Sequence, residues 1–117
     1  MILADTSVWI DHLRRGNPTL RAHLTKGRIV CHPFIVGELA LGNLRNRSEI
    51  LTHLDRLPHL PVAAHDEVLA LAERRRLFGA GIGWVDAHLL AAVLIAGAKL
   101  WALDSRLARV ARVLHVA

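Results

Sequence analysis

The apolar positions of this chain fall into short continuous runs and longer helical repeats, which alternate along the sequence. Five short apolar runs predict buried strands, and they read MILA, RIVCH, LPVAA, KLWALD and LHV in chain order. Each is too short to form a helix of ordinary length. We therefore expect up to five short strands.

Between these runs, apolar residues recur every three to four positions and predict seven helices. The segments are TSVWIDHLRRG, TLRAHLTKG, PFIVGELALG, residues 47–57, residues 66–78, GWVDAHLLAAVLIAGA and SRLARVARV. Thr6 or Ser7 is expected to cap the first helix, and Gly97 lies near the end of the sixth. Strands that alternate with such helices favour an α/β fold, a three-layer sandwich whose central, mostly parallel sheet is flanked by helices.

Composition limits the class of protein. The 117 residues are 53% hydrophobic and 21% charged, so we expect one globular domain over residues 1–117 with one core. Cys31 is the single cysteine and lies in an apolar run, which favours a buried thiol in a reducing compartment. The longest uncharged apolar run, residues 89–98, is too short to cross a bilayer, so we expect no membrane association and a cytoplasmic protein.

The charge is basic, with 15 Lys and Arg against 10 Asp and Glu. Arg106, Arg109 and Arg112 recur every third residue and form one stripe on the last predicted helix. Guanidinium groups suit phosphate, so a nucleic acid or an acidic protein is a plausible partner. A solvated helix face explains each arginine equally well when it is taken singly. The eight histidines are mostly expected at the surface, since none is paired at zinc-ligand spacing.

Two predicted strands end on an acid that is followed by a hydroxyl residue. Asp5 follows ILA and precedes Thr6 and Ser7, and Asp104 follows LWAL and precedes Ser105. The carboxyl ends of parallel strands meet at one edge of a sheet, where ligands bind. Both acids are therefore expected in one crevice. The alternative is that each merely caps the helix after it.

Two further acids lie within apolar helical segments. Glu38 and Asp86 are placed where burial is expected, and neither has Lys or Arg within one turn of its own helix. A buried carboxylate needs a partner, and a shared divalent cation would be one. Carboxylate oxygens suit Mg²⁺ or Mn²⁺, and such a site can hydrolyse a phosphodiester bond. For Asp86 alone, a favourable place at a helix N-terminus is the simpler reading.

The acid motifs, in order and spacing, resemble the PIN domain and, within it, the VapC-like toxins of bacterial and archaeal type II toxin-antitoxin modules. The motifs are DTSVWIDHLR, GELALG, WVDAHLLAA and LWALDSRLARVA, and together they cover nearly the whole chain. The resemblance implies a Mg²⁺- or Mn²⁺-dependent endoribonuclease whose catalytic acids are Asp5, Glu38, Asp86 and Asp104.

The resemblance also implies how these residues share the work. Asp5 and Asp86 would bind the metal, Glu38 and Asp104 would bind it directly or through water, and Ser7 would be a hydrogen-bonding neighbour. Arg106, Arg109 and Arg112 become candidates for RNA binding. A homodimer and a small VapB-like antitoxin, whose C-terminal segment blocks the pocket, are the implied partners.

One position departs from the resembled pattern. Ala102 stands where related chains often carry Thr, and Ser105 is a candidate to compensate for the missing hydroxyl. A phosphatase that forms an aspartyl-phosphate on Asp5 is disfavoured, because Ser7 stands where a second Asp is required. A catalytically silent PIN-fold module that binds RNA or protein stays open as the alternative function.

Overall fold

A three-stranded parallel sheet forms the centre of the protein. The computed structural model describes all residues, 1–117. The strands are β1 (Ile2–Ala4), β2 (Ile29–Val30) and β3 (Lys99–Trp101), in the order β2-β1-β3. Leu3 of β1 lies opposite Val30 and Leu100, so the first strand of the chain is the central one. All three strands therefore end at the same edge.

Seven helices connect and cover these strands. They are α1 (Thr6–Arg15), α2 (Pro18–Thr25), α3 (Pro33–Ala40), α4 (Arg47–Arg56), α5 (His65–Arg74), α6 (Trp84–Ala96) and α7 (Ser105–Val113). Helix α1 packs on β1, both α6 and α7 pack on β3, and α3 lies between α1 and α4. The predicted α/β sandwich with a parallel central sheet is confirmed. No helix is long and apolar enough to cross a membrane.

Two of the five predicted strands do not form. Residues 60–64 form no strand: pairing here is limited to an isolated bridge between Cys31 and His59, and Pro61 has no N–H with which to continue the ladder. At the C-terminus, His115 has a φ of 59°, and the Val116 N–H donates to Ala111 O. Residues 114–116 are therefore a left-handed turn that ends α7, and not a strand.

The fifth helix also ends earlier than predicted. It was expected over residues 66–78, but it stops at Arg74 because Arg76 adopts a φ of 53°. The Leu77 N–H donates to Ala72 O and the Arg76 N–H to Glu73 O, which is the Schellman arrangement that closes a helix. Glycine usually occupies that left-handed position, so the arginine at this position does not mark the end of the helix in the sequence.

The helix caps differ from the prediction as well. Asp5, not Thr6 or Ser7, caps α1, since its side chain accepts from the Val8 N–H. Asp104 caps α7 in the same way. Each carboxylate reaches the free N–H groups of the first helical turn, so the acid that ends a strand also begins the next helix.

The hydrophobic core extends from the sheet into the helices that cover it. Its 22 buried residues include Leu3, Leu20, Ile35 and Leu89, which come from four different elements. Cys31 belongs to this core, as expected, and burial raises the pKa of its thiol to about 11. The thiol is therefore protonated and unreactive at neutral pH.

Candidate functional site

Asp5 lies where the central strand ends, and it is the one buried acid of the chain, with 5% of its surface exposed. Its N–H donates to Trp101 O at 3.0 Å, which fixes the backbone beside β3. Its Oδ1 accepts from Ser7 Oγ at 2.5 Å and from the Val8 N–H at 3.4 Å. Burial raises its pKa to about 6, and the negative charge of nearby Asp86 also raises it.

Ser7 connects the two strand ends that carry acids. Its hydroxyl donates to Asp5 and accepts from the Leu103 N–H at 2.9 Å and from the Asp104 N–H at 3.3 Å. One side chain therefore holds the turn after β1 against the turn after β3. Asp5 and the Asp104 backbone therefore lie side by side at this edge of the sheet.

The Asp104 carboxylate is exposed and directed toward its own helix. Its Oδ1 accepts from the Arg106 and Leu107 N–H groups, each at 3.1 Å. Ser105 is exposed and its hydroxyl makes no hydrogen bond, while Ala102 is half-buried. The hydroxyl contact to the turn at residues 103–104 comes from Ser7.

Glu38 is exposed, so the expectation that it is buried was wrong. On α3, Ile35 and Leu39 are buried, and Glu38 points away from that face. Its Oε1 accepts a 2.8 Å hydrogen bond from the Thr6 hydroxyl, the residue directly after Asp5. This bond holds Glu38 near the turn that carries Asp5, a role of Thr6 that its position in the sequence did not indicate.

Asp86 lies in the first turn of α6 and is half-buried. Its Oδ2 accepts from the Gly83 N–H at 3.1 Å, which stabilises the start of the helix. Its charge acts on Asp5, so the two carboxylates are electrostatic neighbours. No hydrogen bond joins them.

The four acids suit a hard cation in chemistry, but their side chains do not converge on one point. The only ion pair of the protein joins Arg15 and Asp11 at 2.5 Å, so none of the four acids has a Lys or Arg partner. No group of three His, Cys, Asp or Glu side chains is arranged to hold a metal. Asp86 and Asp104 point instead at backbone N–H groups. For all four acids to bind one cation, Asp86 and Asp104 would have to turn away from these N–H groups.

A glycine turn lies beside these acids and leads into α6. Gly81 has a φ of +79°, and a Cβ there would lie 2.8 Å from Arg106 Cδ. The turn therefore needs glycine for its conformation and for the close approach of the arginine. Arg106, Arg109 and Arg112 are all exposed and form no ion pair, so the stripe predicted on α7 is available to an anion.

Two of the eight histidines are buried, and the other six are exposed or half-buried. His32 is fully buried and His88 is 4% exposed, and burial lowers the pKa of both, that of His32 to about 4. His32 Nδ1 accepts from the Phe34 N–H at 3.0 Å and so caps α3, the helix that carries Glu38. A histidine directly before a helix-opening proline was the sequence feature that could have revealed this cap.

Comparison with known proteins agrees with this arrangement. Residues 2–113 match the PIN domain family. The chain is 51% identical over 108 residues to "Ribonuclease VapC32" of two strains of Mycobacterium tuberculosis, CDC 1551 / Oshkosh and ATCC 25618 / H37Rv. The alignment covers 92% of this chain and 87% of each relative. The chain therefore belongs to the PIN domain family and is a VapC-like member of it.

Proposed function

We propose that this protein is a metal-dependent endoribonuclease that acts as the toxin of a toxin-antitoxin module. One observation carries the proposal: Asp5 is a buried carboxylate at the end of the central strand, next to Asp86, without a cationic partner. A buried acid of this kind is unfavourable for folding, which is expected of a residue kept for function. The names of the relatives, which are ribonucleases, support the choice of RNA.

The chemistry follows from the residues around Asp5. Asp5 and Asp86 would hold Mg²⁺ or Mn²⁺, with Glu38 and Asp104 directly or through water. The chemistry that a cation held by these residues would supply is activation of a water molecule and compensation of the charge that develops on the phosphate. Ser7 fixes the orientation of Asp5, and Thr6 holds Glu38 close to it. Above pH 6, Asp5 is mostly ionised and able to bind a cation.

We also propose how RNA reaches the acids and which partners the protein has. RNA would approach along the unpaired arginines of α7, which lie beside Asp104. We further infer a VapB-like antitoxin that blocks the acids, a homodimer, and a cytoplasmic location. A single domain over residues 1–117 would then carry both the acids and the RNA surface.

The test is cleavage of total RNA by the purified protein with Mg²⁺ or Mn²⁺, beside EDTA. Asp86→Asn should abolish discrete fragments. The matched control is Glu67→Gln on α5, because Glu67 accepts from the Ala64 N–H just as Asp86 accepts from the Gly83 N–H. Both amides keep an oxygen acceptor for that bond. If both variants cleave RNA like the wild type, Asp86 serves only the helix and the proposal fails.

A silent binding module is the second candidate, and one observation favours it. The carboxylates of Asp86 and Asp104 are turned toward their own helices, and no three ligands converge. Such a module would bind RNA or a partner protein equally well with EDTA present and would never cut it. Binding without cleavage in antitoxin-free protein, with metal added, would favour this candidate over the nuclease.

A further inference from the structure

A cleft lies along the outer side of β3 and extends toward the turn that carries Asp104. Its volume is about 540 Å³, which is within the range of small-molecule sites. Strand β3 forms its floor, and α2 and α7 form its walls through Thr19, His23 and Arg112. Ala102, two residues before Asp104, also lines it, so the cleft opens next to the turn that carries the acid.

We propose that this cleft binds one nucleotide of single-stranded RNA, with the base against Trp101 and the phosphate on Arg112 and Lys99. This inference rests on the proposed ribonuclease function and extends it to a substrate subsite. No Asp or Glu side chain lines the cleft, so no acidic side chain there would repel the phosphate of a nucleotide.

The indole of Trp101 is suited to hold a base. It is half-buried, and the His23 ring packs against it edge to face, with centroids 6.1 Å apart and planes at 74°. That contact limits the motion of the indole, and most of the other lining residues are apolar. A fixed aromatic ring in an apolar cleft stacks on any nucleobase, so recognition of the base is expected to be tolerant of sequence.

The cations of the cleft are placed to bind a phosphate. Arg112 is exposed and has no acidic partner, and it completes the stripe of Arg106 and Arg109. Lys99 Nζ donates to His115 O at 3.3 Å, which fixes the ammonium near the cleft while two of its N–H groups stay free. A guanidinium and an ammonium in one apolar cleft are the groups expected around a phosphate diester.

The distance from this cleft to the acids is short enough for one RNA strand to reach both. Arg112 lies eight residues beyond Asp104 on a continuous helix, which corresponds to about 12 Å along the axis. A stacked strand covers that distance in roughly three to four nucleotides, and an extended strand in fewer. The arginine stripe would guide the RNA backbone between the two places, so the cleft is expected to affect substrate binding more than chemistry.

The first experiment is an NMR titration of the Asp86→Asn protein with each of the four nucleoside monophosphates, without metal. The three indole N–H resonances belong to Trp9, Trp84 and Trp101, and they are assigned by substitution with Phe. We expect the Trp101 resonance to shift with saturation while the other two stay in place. No shift of Trp101, an equal shift of all three, or a shift caused only by an acidic peptide would overturn the proposal.

The second experiment measures RNA cleavage by Arg112→Gln, with Arg56→Gln as the control. Arg56 is an exposed arginine at the end of α4, outside the stripe and the cleft. Arg112→Gln should raise KM about tenfold with kcat within about twofold, and should reduce the salt slope of RNA binding by about 0.7. Equal KM in both variants would contradict the subsite. If the wild type cuts no RNA, the ribonuclease proposal fails, and the titration still tests the cleft.

Discussion

Because Asp5 is buried, we predict that a substitution that removes its charge makes the protein more stable. The same substitution should abolish the proposed ribonuclease activity. Asp5→Asn keeps an Oδ1 acceptor for Ser7 and Val8, so the cap of α1 survives. The substitution removes the unfavourable free energy of holding an ionised carboxylate where water solvates it poorly. The rise of the pKa from 3.8 to about 6 is equivalent to about 3 kcal/mol. The new amide N–H groups lack a partner, so we expect a net gain of about 2 kcal/mol.

The effect has a defined pH dependence. Because the pKa of Asp5 is higher in the folded protein than in the unfolded chain, the folded state holds its proton to a higher pH. The wild type is therefore expected to lose stability as pH rises from about 4 to about 6, and to stay at that lower level above it. Asp5→Asn has no such group, so its advantage is complete at pH 8 and absent at about pH 3.5.

Urea unfolding at pH 8 and at pH 3.5, with EDTA present, measures this difference. The control is Asp66→Asn, the same chemical change at an exposed acid in the first turn of α5. It should lose a few tenths of a kcal/mol at pH 8, because it removes a charge that favours the helix N-terminus. The reasoning is refuted if Asp5→Asn is no more stable than the wild type at pH 8, or if its gain persists at pH 3.5.

Two further predictions concern residues beside the acids. Thr6→Val removes the only hydrogen bond of the Glu38 carboxylate, so the affinity for Mn²⁺, measured by calorimetry, should fall about tenfold. Thr6→Ser keeps the hydroxyl and should keep the affinity. Equal affinity of Thr6→Val and the wild type would contradict this role. Gly81→Ala places a Cβ against Arg106 in a left-handed turn, so the free energy of unfolding measured in urea should fall by about 1–2 kcal/mol. An unchanged urea midpoint would mean that the turn rearranges freely.

The order of elements and of acids was readable from the sequence. The helical repeat from Trp84 to Ala96 and the apolar run before Asp5 are local features, and secondary structure follows such patterns closely. The parallel sheet also followed, because short strands separated by helices pair in that way. Local pattern failed where an ordinary residue takes a left-handed conformation, as Arg76 and His115 do.

Burial and side-chain direction were decided only by the tertiary structure. Apolar neighbours in the sequence suggested that Glu38 and Asp86 are buried, yet Glu38 is exposed and Asp86 is half-buried. Asp5 is the buried acid, because the central strand is covered on both sides while α3 exposes one face. The bond between Thr6 and Glu38 joins residues 32 positions apart, and the bond between Ser7 and Leu103 joins residues 96 apart. Contacts over such separations depend on how the whole chain packs, so the sequence determined which acids are present and the fold determined what each one touches.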